Sequence, residues 1–379
     1  MSSRTTQSPA EPAPAKPVRK PRRRRVLQVT AWSAGVLVAA AGVFVALPSP
    51  IHPLAWKPPK APALTGVLAP NNALSHAQLV TAAPNGPEDI TFDAQGNLYT
   101  GDESGTIWRV PPGGKAERYA NTGGRPNGLR FSPDGHHLLV ADTRRGLLSV
   151  DEATRKVTVL ANAAGGRPLE LTNELAVAAD GTVYFSDSAK TAYDKINLVH
   201  EFLEQRPSGR LLRYDPRTHR TDVLLTGLSL ANGVALAPDE SFVLVNETLR
   251  YRITRYWLTG PKAGTHDTFA DNLPGIPDNI DPAGDGTYWV GLYQPRNSSL
   301  DMIQSHPFIK AQLAKLPSFL LTGTRASTAL HIDSNGRPIR ALSDTTGRIY
   351  GLTTAIPHDG YLYLGADKNG DNDVMRVRL

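Results

Sequence analysis

Turn signals that recur at long intervals constrain the fold of this chain more than any other feature of its sequence. Each signal combines a short strand pattern, a Gly- or Asp-rich turn and an alternating strand with aromatic or β-branched residues. The segments read "FDAQGNLYTGD", "FSPDGHHLLVAD", "AADGTVYFSD", "APDESFVLVNE", "PAGDGTYWVG" and "PHDGYLYLGAD". Spacings of about 40–60 residues are typical of β-propellers, whose blades are four-stranded sheets. The sequence therefore predicts an all-β, six-bladed propeller from Asn85 to Leu379, with a strand near Ser75–Val80 that closes the ring.

Oxygen-bearing side chains occur at one fixed phase of this repeat. Eight residues before the turn Gly, or before Glu240 where the Gly is replaced, the five units carry Glu88, Asn127, Asn173, Asn232 and Asp278. In a propeller these residues begin the innermost strands and converge on the central channel. Carboxylate and amide oxygens without thiolate or imidazole favour a hard divalent cation such as Ca²⁺. The alternative is that each residue only caps a strand end through its own backbone.

The pair Asn232-Gly233 allows two interpretations. Asn-Gly between apolar residues is a typical two-residue hairpin turn. A second turn signal, Pro238-Asp239, follows so soon that the intervening strand would be very short. The fixed phase therefore favours Asn232 as a metal ligand.

Composition and charge exclude several classes of function. The chain has no Cys, which excludes disulfides, thiolate chemistry and a thiolate zinc site. The formal charge of +6 is misleading, because residues 1–25 alone carry +7 and the remaining chain is close to neutral. A domain that binds phosphate backbones is expected to be basic itself, so nucleic acid is not an expected partner.

The N-terminal region predicts a membrane anchor. Residues 1–25 read as a basic cytoplasmic tail, 26–47 as an uncharged transmembrane segment, 48–75 as a Pro-rich linker and 76–379 as the propeller. Arginines in front of the apolar segment predict a cytoplasmic N-terminus and an exported propeller, in the periplasm of a bacterium. A cleaved signal peptide is the alternative.

Several segments resemble a known group of proteins. "GPEDI", "LTNELAV", "GRLLRYD", "LANGVAL", "NETLRYRITRYWL", "LPGIPDNI" and "YWVGL" are similar to strictosidine synthase-like and adipocyte plasma membrane-associated proteins, and more distantly to gluconolactonases, regucalcins and paraoxonases. The resemblance implies a calcium-type ion in the channel of a six-bladed propeller. It matches the metal ligands of the lactonases to Glu88, Asn232 and Asp278, and an Asn near metal and substrate to Asn173.

The same resemblance contains one informative departure. The essential acid/base Glu of true strictosidine synthases precedes the final "HDG" by eight residues, and that position is Tyr350 here. A phenol gives up its proton far less readily than a carboxyl group, so amine–aldehyde condensation is disfavoured.

The predicted function is calcium-dependent hydrolysis of a small-molecule lactone or ester by a membrane-anchored protein. Asp278, Asn173 and Asp187 are the predicted catalytic residues, with Asp278 or Asp187 activating water, and no organic cofactor is expected. A non-catalytic binding propeller with a structural ion is the second hypothesis. A condensing enzyme is the third.

Overall fold

The structure is a computed structural model that describes residues 23–82, 84–321, 323–367, 370 and 373–379. The chain divides into two compact units, of which the first ends at Ser49 and the second runs from Pro50 to Leu379. The first unit contains one long helix, Arg23–Ala46. Among the helices of the described residues, none combines the length and apolar character required to cross a membrane. The predicted transmembrane anchor is therefore not confirmed.

The second unit contains six antiparallel four-stranded sheets, which we call blades 1 to 6 in chain order. From the innermost strand outwards, the strands are Ile90–Phe92, Leu98–Gly101, Thr106–Val110 and Glu117–Asn121 in blade 1; Pro126–Phe131, His137–Asp142, Gly146–Asp151 and Val157–Ala161 in blade 2; Thr172–Val177, Val183–Asp187, Gly209–Asp215 and Arg220–Leu228 in blade 3; Ala231–Leu236, Phe242–Glu247, Arg252–Trp257 and His266–Ala270 in blade 4; Gly275–Pro282, Tyr288–Pro295, Ser327–Ile332 and Pro338–Asp344 in blade 5; Leu352–His358, Tyr361–Ala366, Val374–Arg378 and Gln78–Thr81 in blade 6.

The blades form a closed ring. Each innermost strand contacts the innermost strands of both neighbouring blades, and blade 6 contacts blade 1. The outermost strand of blade 6, Gln78–Thr81, comes from the start of the propeller and pairs with Val374–Arg378. The predicted six-bladed propeller and its closing strand are both confirmed.

Alternating apolar residues bury one hydrophobic cluster between each pair of adjacent blades. In "VYFSD" of blade 3, for example, Val183 and Phe185 pack against Leu139 and Leu147 of blade 2. Faces covered on both sides are typical of propeller blades, whose sheets stack around the ring. These interfaces hold the six innermost strands side by side around the channel.

Short helices lie over one end of the ring. They occupy the connections between the second and third strands of blades 3 and 5, and their bounds are Leu198–Glu204, Ser298–Ile303 and Pro307–Leu313. The first two are capped by Asn197 and Asn297, whose side chains accept backbone N–H bonds. Single 3₁₀ turns span Gly66–Leu68, Ala73–His76, Tyr193–Lys195, Thr248–Arg250 and Ser318–Leu321, and a minimal hairpin joins Ala163–Ala164 to Arg167–Pro168.

The Pro-rich stretch after the first unit is bound to the propeller. The Leu54 and Trp56 amides donate to the Glu204 and Gln304 carbonyls. The Lys310 ammonium donates to the Leu54 carbonyl at 2.6 Å. Further along, the Asn71 side chain donates to the Ala341 carbonyl at 2.7 Å. Residues that the sequence predicts to be a spacer thus pack against the helical end and against blade 5.

Candidate functional site

A bulge at the start of the innermost strand positions each predicted ligand in blades 2 to 5. In blade 3, for example, Thr172 pairs with Asp187 and Leu175 with Phe185, so the chain between Thr172 and Leu175 holds one residue more than its partner. Blades 2, 4, 5 and 6 show the same one-residue excess, at Asn127, at Asn232-Gly233, at Asp278-Asn279 and at Thr353. Bulges re-aim side chains and are frequent beside active sites. This repeated bulge is the structural origin of the fixed phase in the sequence.

Glycine follows two of the predicted ligands, Asn127 and Asn232, where neighbouring strands approach closely. A Cβ on Gly233 would lie 2.5 Å from the Ile280 nitrogen and 2.6 Å from the Asn279 Cα. A Cβ on Gly128 would lie 2.8 Å from the Glu174 Cα. Glycine in a strand commonly marks such close backbone approach. Asn232-Gly233 is therefore part of a strand, Ala231–Leu236, and not a hairpin turn.

Five predicted ligands converge at one mouth of the channel, and we call Glu88, Asn127, Asn173, Asn232 and Asp278 the donor ring. All five are buried, with exposed fractions of 3–8%. The Asn127 amide donates to Asn173 Oδ1 at 2.8 Å, and the Asn173 amide donates to Ser188 Oγ at 3.0 Å. The ring lies at the end of the propeller that carries the helical connections.

Three oxygens of the donor ring lack a hydrogen-bond partner within the described part of the chain. They are Asn127 Oδ1, Asn232 Oδ1 and Asp278 Oδ1. A buried acceptor without a partner is costly, and several at one point indicate a ligand. Their chemistry fits a hard cation such as Ca²⁺, which accepts amide and carboxylate oxygens together. Among the described residues no group of three His, Cys, Asp or Glu is placed to hold a metal, so such an ion would need the amide oxygens.

An arginine that sequence reasoning missed lies beside the ring. Arg125 is 4% exposed and donates to Glu88 Oε2 at 3.0 Å. It also pairs with Glu103, and its guanidinium lies 5.1 Å from the Tyr193 ring. Burial raises the pKa of the Glu88 carboxyl well above its usual range, while Arg125 opposes that shift. The sequence signal is slight, because Arg125 is simply two residues before Asn127.

A further carboxylate, Asp367, also lies near the ring and was not found from the sequence. It follows the second strand of blade 6 and accepts a hydrogen bond from the Tyr293 hydroxyl at 3.2 Å. Burial raises the pKa of Asp278 to about 8, and Asp367 adds to this shift. Asp367 also raises the pKa of Glu88. Carboxylates held this close favour a proton or a cation among them.

Asp187, a predicted catalytic residue, is fully committed to other contacts. Its Oδ2 accepts from Arg210 at 2.6 and 2.9 Å and from Arg167 at 3.3 Å. Its Oδ1 accepts from the Glu170 and Leu171 amides at 3.0 and 2.9 Å. Both oxygens thus stabilise the entry to blade 3, and this geometry argues against a role as a base.

Comparison with known proteins identifies the group to which the chain is similar. The strictosidine synthase family model matches residues 173–261, and the model for the N-terminal region of strictosidine synthase-like proteins matches residues 66–110. The adipocyte plasma membrane-associated protein of Salmo salar is 37% identical over 86% of this chain and 83% of its own length.

Solved structures share the fold at lower identity. A gluconolactonase from Xanthomonas campestris matches with a TM-score of 0.58 at 18% identity, over 88% of this chain and 98% of its own. A calcium-binding regucalcin from Agrobacterium tumefaciens matches with a TM-score of 0.56 at 14% identity, over 79% and 92%. With its matched segments, its propeller and its similarity over most of both chains, the chain belongs to the strictosidine synthase-like family that includes the adipocyte plasma membrane-associated proteins.

Proposed function

We propose that this protein is a calcium-dependent hydrolase of small lactones or esters. The observation that carries the proposal is the set of three buried donor-ring oxygens, on Asn127, Asn232 and Asp278, that have no partner among the residues the structure describes. Two structural neighbours support it, because one is a gluconolactonase and the other is a calcium-binding regucalcin.

The residues at the mouth of the channel would have separate roles in the reaction. Ca²⁺ bound in the donor ring would act as a Lewis acid on the carbonyl oxygen of the substrate. Asn173, whose side chain is fixed by Asn127 and Ser188, would orient the substrate beside the ring. Asp367, oriented by the Tyr293 hydroxyl, would accept a proton from the attacking water. Asp278 is a ligand in this scheme, and Asp367 replaces Asp187 as the base.

The condensation chemistry of strictosidine synthases receives no support from the position where the sequence departs from theirs. Tyr350 lies under the Arg325 guanidinium, 3.9 Å from the ring centroid. The stacked guanidinium holds the Tyr350 ring in place through a cation–π contact. The position of the essential Glu thus carries a phenol and no carboxylate. Hydrolysis at the donor ring does not require one there.

A non-catalytic binding propeller with a structural ion is the second candidate function. The observation that favours it is burial, since every donor is at most 8% exposed. An ion held that deeply has little surface left for a substrate.

We propose further that the N-terminal helix holds the protein at a membrane, with the N-terminus cytoplasmic and the propeller periplasmic. Large apolar side chains of this helix are exposed, with Trp32 at 77%, Leu37 at 70% and Val38 at 73%. The adipocyte plasma membrane-associated proteins, which are similar over most of their length, support this proposal. Cell fractionation tests this, because an anchored protein stays with membranes after an alkaline carbonate wash and a variant lacking residues 1–49 does not.

The activity is tested on the purified full chain after exhaustive chelation. Lactones and aryl esters are assayed with and without Ca²⁺, for the wild type, Asn232→Ala and Asp278→Ala. We expect calcium-dependent turnover that falls about 100-fold or more in both variants, since even residues behind a metal ligand contribute 10–100-fold. Asn121→Ala, on the outermost strand of blade 1, is the control and is expected to keep wild-type turnover. Tight calcium binding without turnover would instead establish the binding propeller.

A further inference from the structure

A second polar cluster lies below the donor ring, and we call Asp89, Arg130, Glu174 and Asp281 the Arg130 cluster. The Arg130 guanidinium contacts Asp89 Oδ2 at 2.6 Å, Asp281 Oδ1 at 2.7 Å and Glu174 Oε1 at 3.7 Å. Asp89 and Glu174 are completely buried, and Asp281 is 2% exposed. One guanidinium thus joins three carboxylates.

The three carboxylates are attached to the same strands as three donors. Asp89 follows Glu88, and Glu174 follows Asn173 at the bulge of blade 3. Asp281 is on the blade 5 strand that carries Asp278. Arg130 itself belongs to the blade 2 strand that carries Asn127. A displacement within the Arg130 cluster would therefore displace the donor ring.

Arg130 also crosses the channel. Blades 2 and 5 are opposite each other in a closed ring of six, so its contact with Asp281 joins the two walls. Backbone and hydroxyl donors complete the arrangement, with the Leu129 amide on Asp89 Oδ2 and the Thr354 hydroxyl on Asp281 Oδ2, both at 2.8 Å. The guanidinium occupies the place that a bound ion would take among converging carboxylates.

The cluster still has capacity to accept more positive charge. Asp89 Oδ1 and Glu174 Oε2 have no hydrogen-bond partner among the residues that the structure describes. If all three carboxylates are ionised, one guanidinium leaves a net charge of −2. Among the described residues these carboxylates are not spaced to hold a metal while the guanidinium lies between them. Removing the guanidinium would let their buried oxygens close on Ca²⁺, which accepts carboxylate ligands.

We propose that Arg130 takes the place of a bound cation beneath the donor ring, and that it acts as a positioning residue for the four strands it joins. The positioning part rests on the proposed function, because it concerns the donors of the predicted calcium site. The replacement part does not, since it concerns only the Arg130 cluster. The channel thus uses a side chain at one level and is open to an ion at the next.

The test counts calcium ions by isothermal titration calorimetry on the purified full chain. In Arg130→Ala we expect one calcium more per chain than in the wild type, whatever number the wild type binds. Arg130→Lys keeps the charge and is expected to keep the wild-type number. Arg130→Ala combined with Asp278→Ala is expected to bind one calcium, because it keeps only the new site.

Arg255→Met is the matched control. Arg255 is 20% exposed against 19% for Arg130, and it is also paired through two nitrogens, here to Asp267 at 2.8 and 3.1 Å on the outer strands of blade 4. We expect it to lower the melting temperature without changing the number of bound calcium ions. Calcium should raise the melting temperature of Arg130→Ala more than that of the wild type or of Arg255→Met.

The outcomes separate the two proposals. A folded Arg130→Ala with the wild-type calcium number would show that Arg130 is only structural. If Arg130→Ala does not fold, Arg130→Gln carries the same expectation and the same contrary result. A wild type that binds no calcium overturns the proposed function and the positioning part, while one calcium in Arg130→Ala would still support the replacement.

Discussion

The donor ring and the Arg130 cluster share blades 1, 2, 3 and 5, yet they satisfy their buried oxygens differently. Within the described part of the chain, three oxygens of the donor ring lack partners and two of the Arg130 cluster do, although only two of the five ring members are carboxylates. The Arg130 cluster holds three carboxylates, which share a guanidinium from blade 2. The number of acidic residues therefore does not identify the proposed cation site. In our proposal, the Arg130 side chain decides which of the two levels can bind an ion.

Burial acts on both levels in the same direction. It raises the pKa of Asp278 to about 8 in the donor ring and that of Asp281 to about 7 in the Arg130 cluster. Arg130 lowers the pKa of Asp281, while Asp367 raises that of Asp278 further. The guanidinium thus reduces the cost of burying negative charge without removing it.

The largest expected effect is a loss of stability when blade 4, which carries Asn232, is forced away from blade 5, which carries Asp278 and Asp281. In Gly233→Ala the new methyl group would meet the backbone of Asn279 and Ile280 at 2.5–2.7 Å. We expect a loss of about 1–3 kcal/mol in the free energy of unfolding, because the rigid strands must move apart. Urea denaturation measures it.

Gly114→Ala provides the control for this loss. Gly114 is in an exposed turn, where the nearest atom to an added methyl group is the Pro111 Cβ at 3.1 Å. We expect this variant to be nearly as stable as the wild type. Equal losses in both variants would mean that close strand approach at Gly233 has no special cost.

A smaller effect, on calcium affinity, is expected from Arg125, which lies beside the donor ring, whereas Arg130 lies beneath it. Arg125→Met removes a positive charge beside Glu88 and releases the Glu88 oxygen that it binds. We expect calcium to bind on the order of tenfold more tightly, because a cation no longer repels the ion. Calorimetry measures the dissociation constant, with the surface variant Arg109→Met as the control. Weaker binding would show that Arg125 supports the site, as we propose for Arg130.

The smallest effect concerns a third buried cation, which has neutral partners. Lys310 donates to the Leu54 carbonyl and to Gln304 Oε1, and burial lowers its pKa from 10.5 to about 8. Between these pH values the unfolded chain holds the proton and the folded chain does not, so folding stability should rise with pH. Denaturation at pH 7.5 and pH 9.5 should show this rise in the wild type but not in Lys310→Met. Parallel behaviour of the two proteins would contradict it.

The sequence was sufficient for features that repeat and insufficient for features that occur once. The turn pattern predicts six blades, and the phase of Asn232 in that pattern locates it on an innermost strand. Arg125 and Arg130 have no arginine at the same phase in other blades, so no periodicity marks them. Their roles depend on contacts between blades, such as that of Arg130 with Asp281, which are separated by 151 residues in the chain. Asp367 ends its repeat segment as Asp142 and Glu247 end theirs, so its phase does not distinguish it from them.

Asp187 illustrates the opposite case. Its position at the end of a strand near the channel predicts a base. In the structure, however, Arg167 and Arg210 pair with its carboxylate. Neither residue is near Asp187 in the sequence. A carboxylate in a suitable position is therefore weak evidence for catalysis until its partners are known.

The pairing of Gln78–Thr81 with Val374–Arg378 has a consequence for how the protein is made. The first of these strands leaves the ribosome about 300 residues before its partner strand in blade 6 is synthesised. Until then the ring is open, and the apolar faces of blades 1 and 6 are exposed to solvent or to a chaperone. Joining strands so distant in sequence is slow, since the loop must close before the contacts form. A chain that is released before Val374 therefore lacks the partner strand on which Gln78–Thr81 closes the ring.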